Sequence, residues 1–449
     1  MPGDVRKRPS TSSIEDEAAN FISLESSDDN PTGAKRKSVK TPSKDLSVTS
    51  SSSSPSTKSS SSSSRSSLRF RHYTPIKPLM TEEAATKERQ SASQSEASIH
   101  QEDDNDSLLP TGPNDDPCSE CPWVREKGYT KDAIGLHHEI RDFFKYISPT
   151  AKEKRVREEV VKRCETVILD LWPNAKVEVF GSYKTGLYLP TSDVDLVVFG
   201  RWLHTPLRTL EKAFIAAEVA EAKDIQVIDK ASVPIIKVVD KRTEIRVDIS
   251  FNMPNSILAV ELVKDYLRIF PTLKYLVFVL KQFLSQRDLN EVYFGGVSSY
   301  SLVLMTISFL QLHPREGART GRANVGVLLL EFFELYGLNF NYHNVCIRIK
   351  DGGGYIQKSD FYRSEVRQRC PDKGLSIEDP YTRGNDISRG SYHSDKCVSA
   401  FEKAFYALQH AITPARQRFH GERTRSILVN VIQLSPELVE YRRWIESNF

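Results

Sequence analysis

Residues 180–200 read FGSYKTGLYLPTSDVDLVVFG, and this stretch decides the fold. It opens on a Gly-Ser turn and closes on an apolar run carrying Asp193 and Asp195. Side chains alternate faces along a strand, so residues two apart share a face. Asp193 and Asp195 therefore point one way, and Val194, Leu196 and Val198 point the other way, into a core. Two neighbouring carboxylates repel, and burying them unpaired is costly. A divalent cation, Mg²⁺ in the first instance, resolves that conflict because it takes hard oxygen ligands. Gly181 allows backbone to approach a ligand closely, and Ser182 offers a hydroxyl at the start of a turn. Amides pointing outward there make a phosphate seat.

Outward from this stretch, 130–147 and 151–171 carry apolar residues at helical spacing. The first stripe is read as Ile134, Ile140, Phe143, Phe144 and Ile147. The second holds Val156, Val160, Cys164, Val167, Ile168 and Leu171 and stops at Trp172-Pro173. Residues 176–180 alternate as a strand. Beyond the aspartates, 206–222 reads as a helix, then 224–229 and 233–240 as strands. In 244–250 Ile245, Val247 and Ile249 alternate with Arg246, Asp248 and Ser250, so Asp248 lies on a polar strand face and completes a set of three carboxylates. From 258 the pattern is helical: 258–270, 272–286, 298–312, 325–337 and 396–411. Residues 298–312 are apolar nearly all round, which marks a buried helix, capped by Ser298 or Ser299. Gly352–Gly354 mark a turn between extended pieces, 371–392 a long polar loop, and 427–434 a short apolar strand before a last helix.

The first 120 residues differ in kind. Ser, Thr, Lys, Asp and Pro dominate, and the expectation is a disordered tail with too little apolar surface to offset ordering entropy. Lys35-Arg36-Lys37 is a short basic cluster, either a nuclear import signal or a solvated charge run. Cys118 and Cys121 form a lone C-x-x-C with no second pair to complete a zinc site, and read as exposed thiols. The 449 residues carry a net charge of only +3, so nucleic acid must be met by local clusters. Six cysteines suggest no disulfide framework. With no secretory h-region and no membrane span in view, the expectation is a soluble intracellular protein.

Three carboxylates and a phosphate seat suit nucleotidyl transfer, in which two metals about 4 Å apart hold the attacking and leaving oxygens. Lys281, in KQFLSQR, is a candidate phosphate contact, although alone it reads as a surface lysine with its stem laid along the helix.

The Gly-Ser turn followed by D-x-D on a strand resembles the polymerase-β-like nucleotidyltransferases. The blocks VPIIKVVDKRTEIRVDISFN, VLKQFLSQRDLNEVYFGGVSSYSL, FLQLHPRE, GVLLLEFFELYG, IRIKDGGGY, IEDPYTRGNDISRGSY and SILVNVIQLSPELVEYRRWI narrow this. From about 123 to 449 they resemble, in order, the nuclear noncanonical poly(A) polymerases of the TRAMP surveillance type, also called the DNA polymerase sigma family. The resemblance implies an α+β fold: a nucleotidyltransferase palm at 121–257 with preceding helices, and a helical central domain at 258–449 containing a PAP-associated region at about 325–390.

It also implies an adenylyltransferase that adds AMP from ATP to RNA 3′ ends without a template, using Mg²⁺ or Mn²⁺. Asp193, Asp195 and Asp248 would be catalytic metal ligands. Gly181, Ser182, Ser256, Lys281, Ser299, Tyr300, Asn385 and Arg389 would bind the nucleotide, with Tyr300 stacking on the base. Uridylyl-transferring relatives typically carry histidine at the position of Asn385, which favours ATP here. The family often has glycine where this chain has Ser256, and Ser388 replaces another glycine. The implied partners are a zinc-knuckle RNA-binding protein and an RNA helicase, feeding the exosome. The implied place is the nucleus, with some cytoplasmic presence open. A uridylyl or mixed-nucleotide transferase, and a non-catalytic RNA-binding scaffold, stand as alternatives.

Overall fold

The computed structural model describes residues 121–231, 233–363, 374–412 and 422–449. The expectations for the tail, its basic cluster and Cys118 lie outside these residues. Helix α1 (Ala133–Ile147) starts where Asp132 accepts the amide of Gly135. Its buried stripe is Leu136, Ile140, Phe143 and Ile147. Ile134, expected in that stripe, is 57% exposed, because two helical steps place it about 200° from Leu136. Helix α2 (Ala151–Leu171) begins with a reciprocal cap between Thr150 and Glu153 and buries the expected stripe from Val156 to Ile168, with Leu171 at its end only half-buried.

Strand β1 (Lys176–Phe180) leads into α3 (Gly181–Thr185), a single turn closed by Gly186. Then follow β2 (Val194–Phe199), α4 (Leu207–Ala216), β3 (Ile225–Ile228), β4 (Ile235–Val239) and β5 (Arg246–Phe251). The five strands form one mixed sheet ordered β1-β2-β5-β4-β3. Only β2 and β5 run parallel; the other neighbours are antiparallel. Helix α4 ends at Ala216, six residues short of the expected 222. There the chain reverses through Glu218 at φ +54° and buries Val219 and Ala220.

Helix α5 (Pro254–Ile269) starts four residues earlier than its apolar periodicity suggested, because Pro254 fits the first helical turn. It is followed by α6 (Leu273–Ser285), α7 (Ser299–Gln311), α8 (Val325–Glu334), the hairpin β6 (Val345–Arg348) and β7 (Gly354–Gln357), α9 (Ser394–Ala411) and α10 (Pro436–Asn448). Ser298 caps α7, which is buried from Ser301 to Gln311.

Among the described residues two large apolar cores result, beside a small cluster of Cys346, Phe361 and Tyr362, and each large core draws on distant segments. The sheet core takes α2, α4 and the strands together with Ile445 of α10. The helical core takes α6, α7, α8 and α9 together with α1. Arg442 of α10 ion-pairs with Glu153 at 2.9 Å and donates to the carbonyls of Tyr146 and Ser148. The strand expected at 427–434 does not form. Its amides and carbonyls go to side chains instead: Glu139 accepts the amides of Ile427 and Leu428, while Gln286 and Arg287 donate to Val431. A short apolar run with its polar backbone so occupied has no need of a sheet edge.

Candidate active site

Strand register brings the carboxylates together. Asp195 on β2 stands directly opposite Asp248 on β5, and adjacent strands lie about 4.8 Å apart. Asp193 precedes β2 by one residue. The loop before it is gripped by Arg157, whose buried guanidinium donates to the carbonyls of Pro190 and Ser192 at 2.7 and 2.8 Å. Gly181 adopts φ +64°, and a Cβ there would fall 2.1 Å from Asp195 Oδ2. Only glycine lets the turn close against that carboxylate.

The three aspartates are not equally served. Arg246 Nε donates to Asp193 Oδ1 at 2.5 Å, and Lys237 Nζ to Asp248 Oδ2 at 2.6 Å. Asp195 has no hydrogen bond or ion pair among the described residues. Burial, then the charges of Asp248 and Asp193, push its carboxyl up to about 7 against the opposing pull of Lys281 and Lys237. Asp248 is also raised, chiefly by burial, with Lys237 opposing. Lys281 is buried on α6 and donates to the Leu187 carbonyl at 2.8 Å. Burial lowers it to about 8, while Asp195 and Asp193 hold it up. A surface lysine with a solvated amine is therefore ruled out at 281.

Among the described residues no three His, Cys, Asp or Glu side chains form a ready-made metal cage. The donor set nevertheless fits a hard divalent ion: two facing carboxylates, one with no cation of its own, where a dication would relieve the repulsion that now favours the protonated acid.

The nucleotide candidates gather around the loop 374–392. Asp386 is buried at its centre and accepts the amides of Ile377 and Ser388, the Ser388 hydroxyl and the Tyr362 hydroxyl. Ser388, where glycine was the family habit, is thus built into the loop and also donates to the Leu375 carbonyl. Asp379 accepts from Asn385 Nδ2 at 2.8 Å and from the Tyr381 amide. Tyr300 on α7 feels Asp379 and Tyr381, and its buried hydroxyl has no hydrogen-bond partner among the described residues. The start of α5, which carries Ser256, is tied to the loop by Asn255 to Thr382 and by Tyr381 to the Leu258 carbonyl. The Ser256 hydroxyl itself turns back to Met253.

The structure thus brings Gly181, Asp193, Asp195, Asp248 and Lys281 into one group, and Ser256, Tyr300 and Asn385 into a second around the loop. Ser182 lies half-buried in α3 beside Gly181, and Ser299 is exposed next to Tyr300. Arg389 is exposed, with no ion pair among the described residues. Sequence reading missed Lys237, Arg246, Arg157, Asp379 and Asp386. Arg246 was within reach, two residues before Asp248 on the same face; Lys237 needed the β4/β5 register, which sets it opposite Asp248.

A mixed sheet with facing carboxylates on its two parallel strands, backed by a helical half, defines a nucleotidyltransferase of the polymerase-β-like class. The family description "Poly(A) RNA polymerase, mitochondrial-like, central palm domain" matches residues 136–268, and "Cid1 family poly A polymerase" matches 324–385. The chain is 40% identical over 318 residues to the inactive non-canonical poly(A) RNA polymerase protein Trf4-2 of Drosophila melanogaster, covering 70% of this chain and 77% of that one. It is 39% identical over 309 residues to the poly(A) RNA polymerase cid14 of Schizosaccharomyces pombe, covering 67% and 45%. It shares 36% identity and a TM-score of 0.60 with the solved polymerase core of TRAMP, a RNA surveillance complex, over 68% of this chain and 96% of that one. The chain belongs to the noncanonical poly(A) RNA polymerase family of the Trf4/Cid14 type. It spans less than half the length of cid14, although it spans most of Trf4-2.

Proposed function

We propose that this protein is a template-independent RNA adenylyltransferase that adds AMP from ATP to RNA 3′ ends. The observation that carries this reading is the Asp195/Asp248 pair: two carboxylates held face to face, one lacking a cation, beside the buried ammonium of Lys281. Such an arrangement costs stability and is kept for a ligand that neutralises it.

Asp193, Asp195 and Asp248 would hold Mg²⁺ or Mn²⁺, which when bound supplies charge stabilisation to the attacking and leaving oxygens. The chain's own residues do the rest. Lys281 and the amides around Ser182 hold the triphosphate, and Ser299 adds a hydroxyl at the start of α7. Tyr300 offers its ring to the base. Asp248 faces the acceptor 3′-hydroxyl, whose oxygen attacks the α-phosphorus while pyrophosphate departs. Asn385 gives one amide proton to Asp379 and keeps Oδ1 as an acceptor for an exocyclic amine. Adenine has such an amine where uracil presents a carbonyl, so ATP is favoured over UTP. Ser256 and Arg389 border the nucleotide. By kinship with the TRAMP core, the enzyme works in nuclear RNA surveillance with a zinc-knuckle RNA-binding protein and a helicase, feeding the exosome.

The test is a tailing assay with purified protein, labelled RNA and each of the four NTPs in turn, with Mg²⁺ or Mn²⁺. AMP addition that vanishes in Asp193→Ala is expected; predominant UMP addition would overturn the nucleotide assignment. A second reading, a catalytically silent scaffold, is favoured by the likeness to a relative named inactive. Against it stand the three intact carboxylates, and a lack of any tailing by the wild type would establish it.

A further inference from the structure

Large rings are exposed where loops 290–296 and 388–393 meet. Tyr293 is 84% exposed, Tyr392 63% and Phe294 50%. The two loops are nearly a hundred residues apart in sequence yet are locked together. The Tyr392 hydroxyl donates to the Tyr293 carbonyl at 2.8 Å, and the His393 amide to the Gly295 carbonyl at 3.0 Å. Gly390 lies so close that a Cβ there would sit 2.4 Å from Val292 Cγ1. Tyr293 and Phe294 meet edge to face at 5.0 Å. These rings are held out by a fixed scaffold.

The place of this surface says what it faces. One loop continues directly from Asn385 through Arg389 to Tyr392. The other runs on through Val297 directly into Ser299 and Tyr300 at the start of α7. The rings therefore border both the nucleotide loop and the start of α7, which carries Tyr300. A bound mononucleotide already has Tyr300 and does not need them. Exposed cations stand alongside at Arg389 and Lys396, with Glu291 and Asp395 as the acidic neighbours. Outward ring faces flanked by cations suit a single strand, since every base has a π-face and stacking tolerates any sequence.

We propose that Tyr293 and Tyr392 form a stacking platform for the terminal bases of the single-stranded RNA acceptor. The proposal rests on the reading that the acceptor is RNA. It gives an enzyme without a template a means of gripping any 3′ end.

The test uses the full chain and a short single-stranded oligoadenylate carrying 2-aminopurine next to its 3′ end, whose emission is quenched on stacking. Binding is read without ATP, and tailing is read separately. Tyr293→Ala should lose the quench and raise both the Kd and the KM for RNA roughly tenfold, with the KM for ATP unchanged. Tyr293→Trp should restore the quench, which a merely structural role would not. Tyr392→Ala with an unchanged melting temperature should act in the same direction. Wild-type affinity and emission in Tyr293→Ala would overturn the platform while leaving the enzymatic reading in place. A wild type that quenches the probe yet adds no nucleotide would sink that reading and leave the platform standing. An effect of Tyr293→Ala seen only when a purified zinc-knuckle protein is added would make this a protein-docking surface and overturn the proposal.

Discussion

The carboxylate edge of the sheet carries half-buried acids and the loop at 374–392 buried ones, but they spend them differently. In the loop every buried acid is answered. Asp386 receives two amides and two hydroxyls, and Asp379 receives an amide and the Asn385 side chain. At the sheet the Asp195 carboxyl receives no hydrogen bond or ion pair among the described residues, and burial, then two like charges, push it toward the neutral acid. Satisfied acids set a shape in advance, whereas an unsatisfied one keeps a place for an ion. On the proposed function, the loop chooses the ligand and the sheet edge reacts with it.

This contrast can be broken in four ways. The largest effect is expected from Asp195→Asn. It removes a proposed metal ligand without altering size, and tailing should fall by about a thousandfold or more, several kcal/mol in the transition state. Residual activity within tenfold of wild type in the labelled-RNA assay would mean that Asp195 is not a ligand. Next comes Asp386→Ala, which leaves the amides of Ile377 and Ser388 unanswered in a dry loop and should cost about 3 kcal/mol. Urea unfolding would read this, and an unchanged midpoint would show that the loop's order comes from elsewhere.

The third test concerns pH in metal-free protein. The folded Asp195 carboxyl stands at about 7, and an unfolded one at about 4. The folded state therefore binds this proton more tightly. Its contribution to stability is present in full below about pH 4 and is lost as pH rises through about 7. Asp195→Asn escapes that loss, so its melting temperature relative to wild type should climb between about pH 5 and pH 8 in EDTA, and Mg²⁺ should reverse the order at pH 8. A difference that does not vary with pH would remove the electrostatic argument. The smallest effect is expected of Asp379→Ala. It frees the Asn385 amide to rotate and should cut discrimination between ATP and UTP by roughly tenfold in competition assays, about the worth of one directed hydrogen bond.

The two regions also differed in how far the sequence revealed them. Alternation on two strands was enough to place Asp195 and Asp248 on polar faces, because period two leaves a strand no other choice. The Gly-Ser turn pointed to a close approach by Gly181, but to a ligand; that it closes against Asp195 depends on the β1/β2 pairing. The loop offered no period to read. Its order depends on Asp386 and Asp379 reaching backbone amides several residues away, and such contacts have no signature in spacing. For the same reason Ser388 looked like a disturbance when it is a structural member, and the run at 427–434 looked like a strand while its backbone was already engaged by Glu139, Gln286 and Arg287. Lys281 misled in another manner: an amphipathic helix face suggests solvent for a lysine, and only tertiary packing shows that this face meets the carboxylates. Nor could chain order show that α1 joins the helical core while α10 joins the sheet.

That last arrangement bears on how the protein is made. The sheet's apolar interior is sealed by Ile445, nearly three hundred residues downstream of the Val156 stripe it meets. A ribosome emitting this chain would thus extrude all three candidate carboxylates well before the segment that closes the interior around them. Contacts of such long sequence separation form slowly, and during that interval the half-built sheet would be the part of the nascent chain most in need of a chaperone.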